Sequence, residues 1–149
     1  MNVVGAIAPF DPDGPRLLFE SRKKSDGPFD EAAYLAFVHK VAGLPDPLPD
    51  GLRRERPCVI VQDNYSVHVC TPVQKAIPGL AKAGVTLFQL PAYSPKMNRI
   101  ESLWRQVKYH DMPVRSHKTD TDLQQAVNDA LNRRANMLRK RVQNLQGTA

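Results

Sequence analysis

Two short stretches hold the residue types for metal-assisted chemistry. "QDNYSVH" puts Asp63, Asn64 and His68 directly after an apolar run, and "LPAYSPKMNRIESLWRQVKYH" (Leu90–His110) puts Glu101 where a helix would start. Two carboxylates so placed can hold a hard divalent cation, because Mg²⁺ takes carboxylate oxygens together with water and substrate phosphate. A pair of such cations activates an attacking oxygen and stabilises the leaving one in phosphodiester displacement. Each acid also has a plainer local reading. Asp63–Asn64 suits a turn that ends a strand. Asn98 and Glu101 have capping-box spacing, and Glu101–Arg105 is an ordinary i, i+4 ion pair. On local grounds alone, the cap reading of Glu101 is the stronger.

The elements that must carry these residues follow from periodicity. "CVIVQD" is a short apolar run, the pattern of a strand buried on both faces, and it ends in Asp63. Sites in open α/β sheets collect beyond such carboxyl ends. On a helical wheel at about 100° per residue, Ile100, Leu103, Trp104 and Val107 make one apolar stripe. Glu101, Arg105 and Lys108 share the flank beside it. Upstream, "NVVGAIAPF" and "RLLFES" read as a hairpin-like pair around the turn "DPDGP". "FDEAAYLAFVHKVAG" reads as a helix with Asp30 as N-cap, Gly43 as the C′ residue, and Tyr34, Phe37, Val38 and Val41 facing inward. "TPVQKAIPGLAKAG" is a helix capped by Thr71 with Pro72 at N1, disturbed by Pro78. "VTLFQLP" is a strand, and the last helix opens at Thr119 and Asp122. The alternation of strands and helices predicts an α/β or mixed sheet with flanking helices.

The 149 residues suit one domain with a core, and no apolar run is long enough to span a bilayer. Cys58 and Cys70 form no CxxC pair, which fits a reducing compartment and no zinc site. Residues 1–89 hold 10 Lys and Arg against 10 Asp and Glu, whereas residues 90–149 hold 11 against 5. The whole excess of positive charge therefore begins at the Glu101 stretch, and a localised basic field attracts polyanions.

"DNYSVH" followed by "GVTLFQLPAYSPKMNRIESLWRQVKYH" resembles the C-terminal part of the catalytic domain of DDE/D transposases, in the bacterial insertion-sequence branch of the mariner superfamily. The match runs from about Val59 to Leu131 and includes the family's long "LPxYSPxLNPIExxW" block. The resemblance implies a ribonuclease-H-like α/β fold, a mixed sheet with flanking helices. Asp63 then matches the second catalytic acid and Glu101 the third, both holding Mg²⁺ (or Mn²⁺), with Asn64, His68 and Asn98 supporting them. Lys96, Arg99, Arg105, Lys108 and Arg115 become candidate phosphate contacts. The implied reaction is metal-dependent DNA strand cleavage and strand transfer during DNA transposition. The partners would be transposon ends and target DNA, an intact transposase or a second copy, and the setting a bacterial cytoplasm near the nucleoid.

Two departures from the family pattern shape the expectation. Arg99 stands where the family usually has proline after the asparagine. The family's first catalytic aspartate lies on a strand before the one that "NVVGAIAP" resembles, so the first strand is lacking from residues 1–149. Asp11 and Asp13, in a turn, are poor substitutes for it. The expectation is therefore a truncated catalytic domain over residues 1–138 with a basic, frayed tail at 139–149, impaired when alone. The alternative is a non-catalytic DNA-binding or assembly module derived from a transposase.

Overall fold

The first two strands pair because a tight turn brings two apolar-rich runs side by side. In the computed structural model, which describes residues 1–9, 11–112 and 117–146, β1 (Asn2–Ala8) and β2 (Arg16–Arg22) are antiparallel, with Val4 opposite Glu20 and Ala6 opposite Leu18. Gly14 closes the turn with φ of 102°, its N–H donating to the Asp11 carbonyl at 2.9 Å. Further on come α1 (Glu31–Ala42), β3 (Cys58–Gln62), α2 (Thr71–Lys82), β4 (Val85–Gln89), α3 (Arg99–Gln106) and α4 (Asp120–Gln146). A wider π turn over Val107–Asp111 continues α3.

The architecture is mixed α/β, as expected, but the described strands make two two-stranded sheets instead of one mixed sheet. β1 pairs only with β2, and β3 only with β4. The chain divides into two units, Met1–Pro28 with Arg99–Ala149, and Phe29–Asn98.

In the first unit the hairpin packs on α3 and α4. Ile100, Leu103 and Val107 are buried with Leu17 of β2 and Val127, Ala130, Leu131 and Ala135 of α4. The expected stripe on α3 is thus the buried one, with Trp104 half-buried at its edge. Thr119 caps α4 through its hydroxyl, which accepts from the Asp122 N–H at 3.0 Å. Ser21 Oγ donates to Asn128 at 2.7 Å, tying β2 to α4. Arg134 forks onto the Asp111 carboxylate and fastens the π turn to the same helix. That pairing holds the Asp111 carboxyl below its usual range, chiefly through the Arg134 hydrogen bonds.

In the second unit α1 and α2 cover one face of the β3–β4 pair. Asp30 caps α1 by accepting from Ala33 N–H, and Gly43 ends it in the left-handed conformation. Tyr34, Phe37, Val38 and Ala42 are its buried residues, with Val41 only half-buried. α2 is capped at Cys70, so Thr71 is its first residue and not its cap. The helix continues through Pro78, whose missing N–H costs it one backbone bond. β3 and β4 run parallel, with Ile60 opposite Leu87 and Gln62 opposite Gln89.

The expectation that β3 is buried on both faces is corrected. Cys58, Ile60 and Gln62 face the helices, but Val59 is 62% exposed, Val61 50% and their neighbour Phe88 53%. An apolar run of this length shows that both faces are greasy. It does not show that both are covered, which here depends on helices that occupy one side.

Candidate functional site

The site is built where β3 ends. Gln62 points inward from the last position of the strand and is 6% exposed. A buried amide needs partners for both its ends. Its Oε1 accepts from the Tyr34 hydroxyl of α1, and its Nε2 donates to the His68 carbonyl at 3.1 Å. The Leu90 N–H donates to the Gln62 carbonyl at 2.8 Å and draws the end of β4 alongside. Asn64 completes the clamp, since its Nδ2 donates to the Leu90 carbonyl at 2.8 Å and its Oδ1 accepts from Gln89.

Asp63 follows Gln62 and turns outward, its side chain 43% exposed. Its Oδ1 accepts from the Tyr65 N–H at 3.1 Å, the local turn expected of an aspartate here, and also from His68 at 2.8 Å. The nitrogen facing that carboxylate is His68 Nδ1, which lies 3.4 Å from the Asp63 carbonyl as well. Two oxygens around Nδ1 require it to carry the proton, which fixes the tautomer of a neutral ring with Nε2 as the acceptor. The His68 ring lies against Tyr34, with centroids 4.3 Å apart, and Tyr65 meets it edge-on at 5.8 Å. Burial first, and the Asp63 charge second, push the Tyr34 phenol well above its ordinary range.

Asp63 Oδ2 is engaged more lightly. Asn98 Nδ2 approaches it at 3.4 Å, the long limit of a hydrogen bond. Asn98 therefore directs its amide to Asp63. Asn98, 35 residues from Asp63 in sequence, is thus brought to the strand end that carries Asp63, Asn64 and His68. Tyr34, Gln62 and Gln89 were not singled out. Tyr34 was legible only as a member of an apolar stripe, although a buried tyrosine hydroxyl always seeks a partner.

Glu101 belongs to the other unit. It lies half-buried in the first turn of α3, and among the described residues its carboxylate has no hydrogen-bond or ion-pair partner. The i, i+4 pair with Arg105 is not formed. Arg105 and Lys108 are exposed on the same helix flank, Lys108 lying 5.3 Å over the Tyr109 ring. Lys96 and Arg99 are exposed at the approach to α3. Arg115 lies outside the described residues.

The donor chemistry at Asp63 fits a hard divalent cation. One carboxylate oxygen is held twice and the other only by the long Asn98 contact, on a side chain 43% exposed, as suits an ion that binds through few carboxylates and keeps its waters. Among the described residues, no three His, Cys, Asp or Glu side chains gather as a metal-holding cluster.

A mixed α/β chain with an oriented acid at the end of a parallel strand is of the type that does phosphate or metal chemistry at its strand ends. Residues 31–124 match the family described as "DDE superfamily endonuclease", and the chain belongs to that family. Membership implies a ribonuclease-H-like fold, a DNA substrate and the use of a divalent metal. No curated protein and no solved structure matches the chain. Among the described residues no helix is long and apolar enough to cross a membrane.

Proposed function

We propose that these residues form part of the catalytic domain of a DNA transposase of the insertion-sequence type. The observation that carries this reading is the family match over residues 31–124, which spans both Asp63 and Glu101. Asp63 and Glu101 each supply a carboxylate ligand for Mg²⁺ or Mn²⁺. When bound, the cations activate the attacking oxygen and stabilise the leaving one. In the family's reaction water would attack a DNA phosphodiester, giving a 5′-phosphate and a free 3′-hydroxyl, and that hydroxyl would attack a target phosphodiester and displace the target's own 3′-oxygen. His68 and the Tyr65 N–H hold Asp63 Oδ1, leaving Oδ2 to the long Asn98 contact and to a cation. Lys96, Arg99, Arg105, Lys108 and Arg115 contact phosphates, which makes DNA binding salt-sensitive.

The family's sheet has a strand carrying its first acid, and residues 1–149 do not supply it. Taken alone, residues 1–149 therefore nick DNA weakly. The test is nicking of supercoiled plasmid in Mn²⁺, alongside Mn²⁺ titration. The expected result is weak nicking, lost in Asp63→Asn and Glu101→Gln, with weaker Mn²⁺ binding in both. Robust nicking that ignores both substitutions sinks the assignment. DNA retention at low salt with Mn²⁺ binding unchanged in both variants leaves the non-catalytic DNA-binding or assembly module.

A further inference from the structure

Tyr34 sits in the core of its unit, yet its ring stacking and its hydroxyl bond both lead toward the acid. The ring stacks on His68 at 4.3 Å between centroids, and its hydroxyl donates to Gln62 Oε1. Gln62 in turn donates to the His68 carbonyl at 3.1 Å. Both the ring and the backbone of His68 are therefore held from the Tyr34 side. His68 passes this on through the 2.8 Å bond from Nδ1 to Asp63 Oδ1.

We propose that Tyr34 is a positioning residue for the Asp63 carboxylate, acting through His68 and Gln62. The proposal rests on the reading of Asp63 as a metal ligand. With Oδ1 accepting from His68 and the Tyr65 N–H, the carboxylate is oriented, and Oδ2, met by Asn98 Nδ2 at 3.4 Å, is the less tightly engaged oxygen for a cation. A core position that needed only volume would be served by phenylalanine. It would not call for a buried glutamine, whose amide must then be satisfied at a cost. Gln62 is the one polar side chain among the buried residues described, and it lies between the tyrosine and the histidine.

The experiment uses the full chain and Mn²⁺, followed by electron paramagnetic resonance, with the ¹⁵N imidazole signals of His68 read by NMR without metal. The variants are Tyr34→Phe, Tyr34→Leu and the pair Tyr34→Phe with Gln62→Met. The pair keeps the core filled and removes both polar partners together, so it stays folded if Tyr34→Leu does not. Residues that orient a metal ligand typically contribute about 10–100-fold to affinity. Tyr34 acts one step further out, so the expected loss is about tenfold in Tyr34→Leu and smaller in Tyr34→Phe and in the pair. His68 imidazole shifts should move in all three. A purely structural Tyr34 would lower the melting temperature and leave Mn²⁺ affinity unchanged in the folded variants, with the His68 signals unmoved in Tyr34→Phe, which keeps the stacked ring. If Asp63→Asn weakens Mn²⁺ binding while the folded Tyr34 variants bind as wild type, the proposal is overturned and the reading of Asp63 stands. If Asp63→Asn itself binds Mn²⁺ as wild type, the reading of Asp63 fails, and the proposal with it.

Discussion

Gly5 lies in the middle of β1, and a methyl group there has nowhere to go. A Cβ built at Gly5 would sit 2.7 Å from Trp104 Cη2, 2.8 Å from Cζ2 and 3.2 Å from Ile100 Cδ1. Carbon atoms in contact normally stand about 3.5–4.0 Å apart. Gly5→Ala must therefore move the rigid indole, or the strand, by close to 1 Å. Overpacking of this kind costs about 1–3 kcal/mol. Replacing a strand glycine recovers about 0.5–1 kcal/mol of backbone entropy. The net expectation is a loss of about 1–2 kcal/mol, or roughly 3–7 °C in Tm for a chain of this size. Trp104 is the only tryptophan, so its fluorescence reports the displaced ring directly while circular dichroism follows unfolding. In a Trp104→Phe background the clashing ring atoms are gone, and the penalty for Gly5→Ala should fall below about 0.5 kcal/mol. A Gly5→Ala protein that melts at or above the wild-type temperature with unchanged emission would refute the packing argument. Gly5 thereby sets how closely β1 approaches the helix that carries Glu101.

Two further outcomes follow from titrating groups. The Asp111 carboxyl is held below its unfolded value of about 3.9 by Arg134, so the pair's stabilisation is complete above that value and is lost as pH falls through the folded one. Asp111→Asn should lower stability by about 1 kcal/mol at pH 7, with the difference from wild type shrinking as acid protonates the carboxyl; a difference that stays constant through the acid transition contradicts the pairing. The Tyr34 phenol is pushed up, so stability linked to it is full below the unfolded value of about 10 and declines as pH rises further. Ultraviolet titration of wild type and Tyr34→Phe should give the same phenolate absorbance up to about pH 11, and early excess absorbance in wild type would show that the hydroxyl is not buried as described.

Much of the fold was legible because short-range rules decide it. Asp30, Gly43, Gly14 and Thr119 act within a few residues of themselves, and each does what its type prescribes. The cap of α2 was misplaced by one residue, because threonine is a good cap but Cys70 already has the extended backbone of that position. The bare face of β3 was not legible either, since covering a strand is a property of its neighbours. At the candidate site, Asp63, Asn64 and His68 share one heptapeptide, so their proximity was legible, whereas the capping spacing of Asn98 pointed to a helix cap and not to its contact with Asp63. The Tyr34–Gln62 pair was not found, because it joins residues 28 positions apart whose partnership only the packing of α1 on β3 creates.

The division of the chain also bears on its synthesis. Phe29–Asn98 is one continuous stretch, whereas the hairpin at the start shares its unit with α3 and α4 at the end. A ribosome releases β1 and β2 before the elements they pack on, and Leu17 meets its apolar partners only as Ile100 and Leu103, then Val127 and Leu131, emerge. A lone two-stranded hairpin is marginal in water. Phe29–Asn98 can close while translation continues, because its core lies within the stretch already made. Nascent chains halted after Asn98 should therefore carry a protease-resistant Phe29–Asn98 and a protease-sensitive hairpin, which folds only with the elements made after it.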